Sequence, residues 1–264
     1  MSKRLDRFNL SSASATGLVL TGAALVLLLT FLPSTSGANP AASASPSASA
    51  SPSASSSTNA PAPKGRPVVV HFGDSFVYSG LHQTIRPRLE AMGARVVSDS
   101  RTSSSLAFWV NGSNLDDLYF GYRPALFLVT LGANDYQFRA ADQRAYQVKR
   151  IIGKMRGTPC VWIGIPVWEN APSDFAEMIR RESAPCRYFD SNAITTRITR
   201  RDKIHPDVAG GQFWADEFWK WFEQQRDPEA GPFAIKPAPP EEHAPRPLPD
   251  PWGKQPGANG GSEK

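Results

Sequence analysis

The sequence predicts an α/β domain: a parallel five-stranded sheet with helices on both faces. Three observations carry this. Short apolar, β-branched runs such as Val68-Val69-Val70 and ALFLVTL (125–131) recur along the middle of the chain. Longer segments with helical spacing lie between them. Each run breaks at small or polar residues, as in Gly73-Asp74-Ser75 and Gly132-Ala133-Asn134-Asp135. Strands buried on both faces read as continuous apolar runs, and their alternation with helices is the pattern of parallel crossover units.

The elements follow in order. Strand one is expected over Pro67–Phe72, with a helix from about Ser79 to Met92 in which Pro87 introduces a kink or a late start and which Gly93 closes. Strand two is Ala94–Ser98, and a short helical piece lies around Asn114–Phe120. Strand three is Ala125–Leu131, followed by a helix over Gln143–Met155. Strand four is Cys160–Ile165, stopped by Pro166, and a shorter helix covers Ser173–Glu182. Strand five is Arg187–Asp190. The closing helix, Ala209 to Gln225, places Trp214, Phe218, Trp221 and Phe222 on one face, a stripe expected to pack in the core.

Composition sets the boundaries. No charged residue occurs between Arg7 and Lys64. Lys3, Arg4 and Arg7 precede an apolar run over Ala13–Leu32, a pattern that sends the following chain across a membrane. Residues 1–33 are therefore expected to be a signal peptide or an N-terminal membrane anchor, with the folded part exported to the periplasm or cell envelope, or secreted if cleaved. Length favours the anchor, and Ser36-Gly37-Ala38 would serve as a cleavage site. Residues 34–65, almost wholly Ser, Ala, Pro and Asn, have too little apolar surface to offset their ordering entropy and read as a disordered linker. A flexible linker of about 30 residues spans roughly 30 Å. Residues 66–226 form one domain, and the Pro-, Gly- and charge-rich stretch 227–264 reads as a disordered tail.

The formal charge of +5 is modest and lies partly in the flanks, so nucleic acid is not an expected partner. Cys160 and Cys186 each follow a proline and precede an apolar run, which places both at the amino-terminal edge of the sheet. In an oxidising compartment they are expected to pair, contributing about 3 kcal/mol; the alternative is two buried free thiols.

In a parallel sheet the polar breaks after the strands fall at the carboxyl edge, where ligands bind. Ser75 follows strand one there. A serine hydroxyl is a poor nucleophile until a base takes its proton. His205 supplies an imidazole, and Asp202, three residues earlier in Asp202-Lys203-Ile204-His205, supplies a carboxylate to hold its tautomer. Oxyanion donors are expected from the Ser75 backbone N–H, the Asn134 side chain and the Ser105 backbone N–H.

These breaks resemble the SGNH (GDSL-type) hydrolase superfamily over nearly all of residues 66–226. Gly73-Asp74-Ser75 is similar to its first block, Gly132-Ala133-Asn134-Asp135 to its GxND block, and Asp202-Lys203-Ile204-His205 to its DxxH block. Ser103-Ser104-Ser105-Leu106 resembles the Ser-Thr-Gly-Leu stretch of exported bacterial members. The resemblance implies a three-layer, flavodoxin-like α/β/α fold and a Ser75–His205–Asp202 triad with an oxyanion hole containing Asn134. Ser105 departs from the family's glycine and would be strained if that position needs a positive φ.

Three functions remain open at this point. One is an esterase acting on O-acyl groups, chiefly O-acetyl, of envelope glycans or on small esters. The others are an acyltransferase onto cell-envelope polysaccharide using the same triad, and a non-catalytic glycan-binding module. Trp168 and Trp109 are candidate substrate-lining residues, with plain packing the alternative for each. His71 reads as a core histidine, and His82 and His243 as surface or tail residues. No cofactor is implied, and no His, Cys and carboxylate cluster has metal-ligand spacing.

Overall fold

The computed structural model describes residues 65–137 and 140–253. The expected N-terminal segment, the linker through residue 64 and the stretch 254–264 lie outside the described residues. Among the described residues no helix is long and apolar enough to cross a membrane.

Five parallel strands form one sheet: β1 (Val68–Gly73), β2 (Arg95–Ser100), β3 (Leu126–Thr130), β4 (Cys160–Ile163) and β5 (Arg187–Phe189), in the order β2-β1-β3-β4-β5. β1, β3 and β4 are central and almost wholly buried, which is why their sequences are dominated by Val, Leu, Ile, Phe and Trp, with His71 and Thr130 the buried polar exceptions. β2, at an edge, is half-buried and accordingly mixed in polarity.

The helices are α1 (Leu81–Ala91), α2 (Leu106–Asn111), α3 (Asn114–Tyr122), α4 (Ala145–Lys154), α5 (Asp174–Glu182) and α6 (Val208–Gln225). α1 packs against α6, whereas α2, α3 and α5 all pack against α4. The chain steps from β1 to β2 in one direction and from β2 back past β1 to β3 in the other; with right-handed crossovers, the two helix groups then fall on opposite faces and make three layers. Reversal of winding between β1 and β3 opens a crevice at their carboxyl ends. Pro87 lies within α1, and Gly93, at φ 95°, ends it.

Two close approaches require glycine. A Cβ on Gly73, at φ 154°, would fall 1.8 Å from the Thr130 carbonyl oxygen, so β1 can close against β3 only without a side chain there. A Cβ on Gly211 would fall 2.2 Å from the Ser79 carbonyl oxygen, where the start of α6 meets the turn before α1.

The reading of 227–264 as a disordered tail does not hold for residues 227–253, which pack on the domain. Phe233 is buried in the core, and Ile235 pairs with Arg226 in an isolated antiparallel bridge. The Glu242 carboxylate accepts the Tyr188 backbone N–H at 2.6 Å and pairs with the Arg187 guanidinium at 2.8 Å. It thereby covers the outer edge of β5, where an uncovered strand would leave a donor unmet. Arg246 reaches Glu177 at 2.9 Å and Asp190 at 2.6 Å, and the Arg180 guanidinium donates to the carbonyls of Glu242 and Ala244. Composition could not show this, because the partners of these charges lie some 55 to 69 residues earlier in the chain. His243 is likewise not a free tail residue: its ring nitrogens donate toward or face the carbonyls of Arg180 and Cys186 at 2.7 and 3.0 Å. His82, expected at the surface, is buried with its Nδ1 3.2 Å from that of His71.

Cys160, which opens β4, and Cys186, just before β5, are joined by a disulfide. The bridge ties the amino-terminal ends of these neighbouring strands, at the edge opposite Ser75.

Candidate active site

β1 ends at Gly73 and passes into a 3-10 turn, Ser75–Tyr78, which puts Ser75 at the carboxyl edge beside the crevice. Asp74 caps this turn by accepting the Phe76 backbone N–H at 3.0 Å. Its other oxygen accepts the backbone N–H groups of Gly132 and Ala133 at 3.1 and 3.0 Å. One fully buried carboxylate therefore fixes the turn after β1 to the turn after β3. Burial pushes the Asp74 carboxyl up to about 7, against these three backbone donors, which favour its charged form.

The Ser75 hydroxyl lies 2.9 Å from His205 Nε2, across 130 residues of chain. His205 Nδ1 lies 2.8 Å from Asp202 Oδ2. An ionised carboxylate only accepts, so Nδ1 carries the ring proton and Nε2 accepts from Ser75. The other Asp202 oxygen accepts the backbone N–H groups of His205 and Ile204 at 2.7 and 3.0 Å. Desolvation works to raise the Asp202 carboxyl, but these backbone bonds and the His205 ring outweigh it and hold the group down to about 2. The loop turns at Lys203, in the left-handed region at φ 69°, which lets a carboxylate and an imidazole three residues apart face each other.

Arg200, unrecognised in the sequence, anchors this loop. Its guanidinium donates to the Pro166 carbonyl at 3.0 Å and the Thr195 hydroxyl at 2.8 Å, and also bonds the Ile204 carbonyl. Burial pushes it down to about 10. The loop then enters α6 through Asp207, which caps the helix by accepting the Gly210 N–H at 2.8 Å.

Asn134 sits in the turn after β3 and donates from Nδ2 to the Ser104 carbonyl at 2.9 Å. That bond uses one of two amide hydrogens and fixes the direction of the other. Asn134, Ser75 and His205 line one cavity of about 330 Å³, with Phe76, Tyr136 and Trp168 among its other walls. Ser105 has φ −103° and ψ 173°, an extended conformation that serine adopts without strain; the left-handed residue is Ser103, at φ 61°. Ser105 is not part of the cavity lining, although the stretch it belongs to is held to the site by Asn134 and by the Leu106 N–H, which donates to Asp135 at 2.9 Å. Burial pushes the Asp135 carboxyl up to about 6.

The two tryptophans separate. Trp168 is half-buried in the cavity wall, its ring 5.3 Å from that of Tyr136. Trp109 is not a lining residue. It is fully buried, packs with its ring tilted against that of Phe72 at 4.8 Å and donates from Nε1 to the Ser104 hydroxyl at 3.0 Å. Its place on α2 turns it beneath the site, where it supports the Ser104–Ser105 stretch. His71, fully buried in β1, also bonds the Thr130 hydroxyl at 2.9 Å, and burial holds its pKa well below the usual histidine value.

Among solved structures the chain is similar to LAE5, an α/β hydrolase enzyme from the metagenome of Lake Arreo, Spain, with 15% identity and a TM-score of 0.50 over 59% of this chain and 94% of that one. It is also similar to a lipase/acylhydrolase from Enterococcus faecalis, with 13% identity and a TM-score of 0.49 over 61% of this chain and 98% of that one. A third similar structure is TesA, with 21% identity and a TM-score of 0.47 over 60% of this chain and 98% of that one. At 15% identity the likeness to LAE5 is one of fold. No protein-family model and no curated protein matches the chain.

Proposed function

We propose that the chain is a serine hydrolase of the SGNH (GDSL) type, working as an exported esterase on O-acyl, chiefly O-acetyl, groups of envelope glycans or on small esters. The observation that carries this reading is the unbroken chain from Ser75 through His205 to Asp202 in a cavity shared with Asn134. The Ser75 oxygen attacks the ester carbonyl while its proton passes to His205 Nε2. Charge then develops on the carbonyl oxygen, toward the free amide hydrogen of Asn134 and the Ser75 backbone N–H. The proposal takes these two as the oxyanion donors, because Ser105 does not line the cavity. His205 returns its proton to the departing alcohol, leaving an acyl-enzyme. Water, deprotonated by the same imidazole, releases the acid and restores Ser75. Asp202 holds the tautomer and stabilises the imidazolium through both proton transfers.

A non-catalytic module has only the family's Gly-to-Ser departure at Ser105 behind it; the extended backbone there accommodates serine, which supports the catalytic reading. Export follows from the charge and hydropathy of residues 1–33 and remains part of the proposal. A fluorophosphonate probe tests the chemistry. Labelling of the wild type and not of Ser75→Ala is the expected result; folded wild type that resists labelling would overturn the esterase assignment. Acetate release from p-nitrophenyl acetate in water, against transfer to an added sugar alcohol, distinguishes hydrolysis from acyl transfer.

A further inference from the structure

The cavity at Ser75 does not end at its own walls. A second cavity, of about 320 Å³, adjoins it, and Asn170, Ala171 and Pro172 line both. The near wall of this second space is the loop between β4 and α5. The far wall comes from the C-terminal segment, through Leu248, Asp250 and Trp252. That wall is held at two points. Arg246 is paired with Glu177 and Asp190, and Trp252 Nε1 donates to the Val167 carbonyl at 3.3 Å. Val167 precedes Trp168, so one short loop presents an indole to the Ser75 cavity and accepts a bond from a second indole in the adjoining one.

We propose that the segment 248–252 and the β4–α5 loop form a subsite for an uncharged oligosaccharide whose acylated unit lies at Ser75. The proposal rests on the esterase reading only for the orientation of the chain; the groove itself is independent of it. Its chemistry selects the ligand class. Among the described residues, no lysine or arginine lines either cavity, and Asp250 is the one carboxylate, so an anionic polymer meets no countercharge. A fatty acyl chain would make no use of the polar groups Asp250, Ser173 and Asn170 that this space presents. A sugar chain offers apolar C–H faces to the indole of Trp252 and to the prolines, and hydroxyls to Asp250, Ser173 and Asn170. Apolar walls with a few placed polar groups are the usual make-up of such pockets. Leu248, 56% exposed, adds an apolar surface on the side of this space that faces solvent.

The test uses the full-length chain carrying Ser75→Ala, so that acylated ligand survives. Acetylated xylohexaose, a neutral hexasaccharide, is titrated in by calorimetry, beside hexagalacturonic acid as an anionic counterpart. The neutral chain should bind. Adding Trp252→Ala should weaken it about tenfold, close to what one lost ring contact is worth, and Trp252→Phe should restore it to within about twofold. Equal affinity with and without Trp252, no binding of the neutral chain up to millimolar concentration, or tighter binding of the anionic chain would each overturn the subsite. Ester hydrolysis by the wild type is read separately. A protein that binds the hexasaccharide through Trp252 yet cleaves no ester would end the esterase reading and leave the subsite standing.

Discussion

Asn134 commits one amide hydrogen to the Ser104 carbonyl, so the other is held in place before any substrate arrives. A donor aimed in advance at developing charge stabilises the transition state more than the bound ester. Asn134→Ala should therefore lower kcat by about 10²- to 10³-fold with little change in KM, as read from steady-state kinetics on p-nitrophenyl acetate. Asp74 acts one step back, through the backbone of both turns. Its carboxyl is raised from 3.8 to about 7 by burial. An acid that holds its proton more tightly when folded contributes stability below its unfolded value, and that stability is lost as pH rises from about 4 to about 7. Asp74→Asn cannot titrate. Its urea midpoint should lack that decline across the same window, although it should start lower, because the amide turns a donor toward backbone donors. Parallel curves for the two proteins would mean that Asp74 does not titrate there. The same residue shows what the sequence can and cannot disclose. Ser75 and Asn134 stand out because each follows the carboxyl end of an apolar run, and the Asp202–His205 loop because a carboxylate and an imidazole lie three residues apart in it. Asp74 stood beside Ser75 in the same motif, but its bonds to Gly132 and Ala133 connect positions some 58 residues apart and leave no local pattern.

At the scale of single elements, β5 and its covering segment depend on each other. Arg187 and Glu242 are only 7% and 12% exposed, so neither charge has much access to water without the other. Glu242→Ala would leave a buried guanidinium and the Tyr188 N–H without their acceptor. The expected loss is about 3 kcal/mol, seen as a lower urea midpoint, whereas an unchanged midpoint would show that water replaces the carboxylate. The strands were legible because a buried parallel strand has little choice but Val, Leu, Ile and aromatic residues. The packed stretch 227–253 was not legible. It contains few apolar anchors, Phe233 and Ile235 among them, and is held instead by charges whose partners lie on α5 and β5. For Trp109 the sequence left packing and substrate lining both open: adjacency to the Ser103–Leu106 stretch was visible, but not which way α2 would turn that side chain.

Across the whole molecule, the site exists only because β1 and β3 sit side by side while α6 returns from the far end of the chain. Ser75 and His205 come from opposite ends of the domain and share one hydrogen bond. Residues that work as one unit do not lose activity additively. Ser75→Ala and His205→Ala should each abolish most turnover, with the double variant hardly worse than either; losses that multiply would argue for separate roles. The apolar runs and their breaks disclosed which side of the sheet carries chemistry. They did not disclose that the C-terminal stretch extends the same side.

The cover that Glu242 places over β5 also makes the sheet's two borders unequal. Among the described residues, the bond from Tyr188 N–H to Glu242 at the β5 border leaves the β2 border as the more open one for strand-to-strand joining between copies. A joint made from the same border on both partners uses up what each has to offer, so such association closes at a pair and does not grow into a fibre.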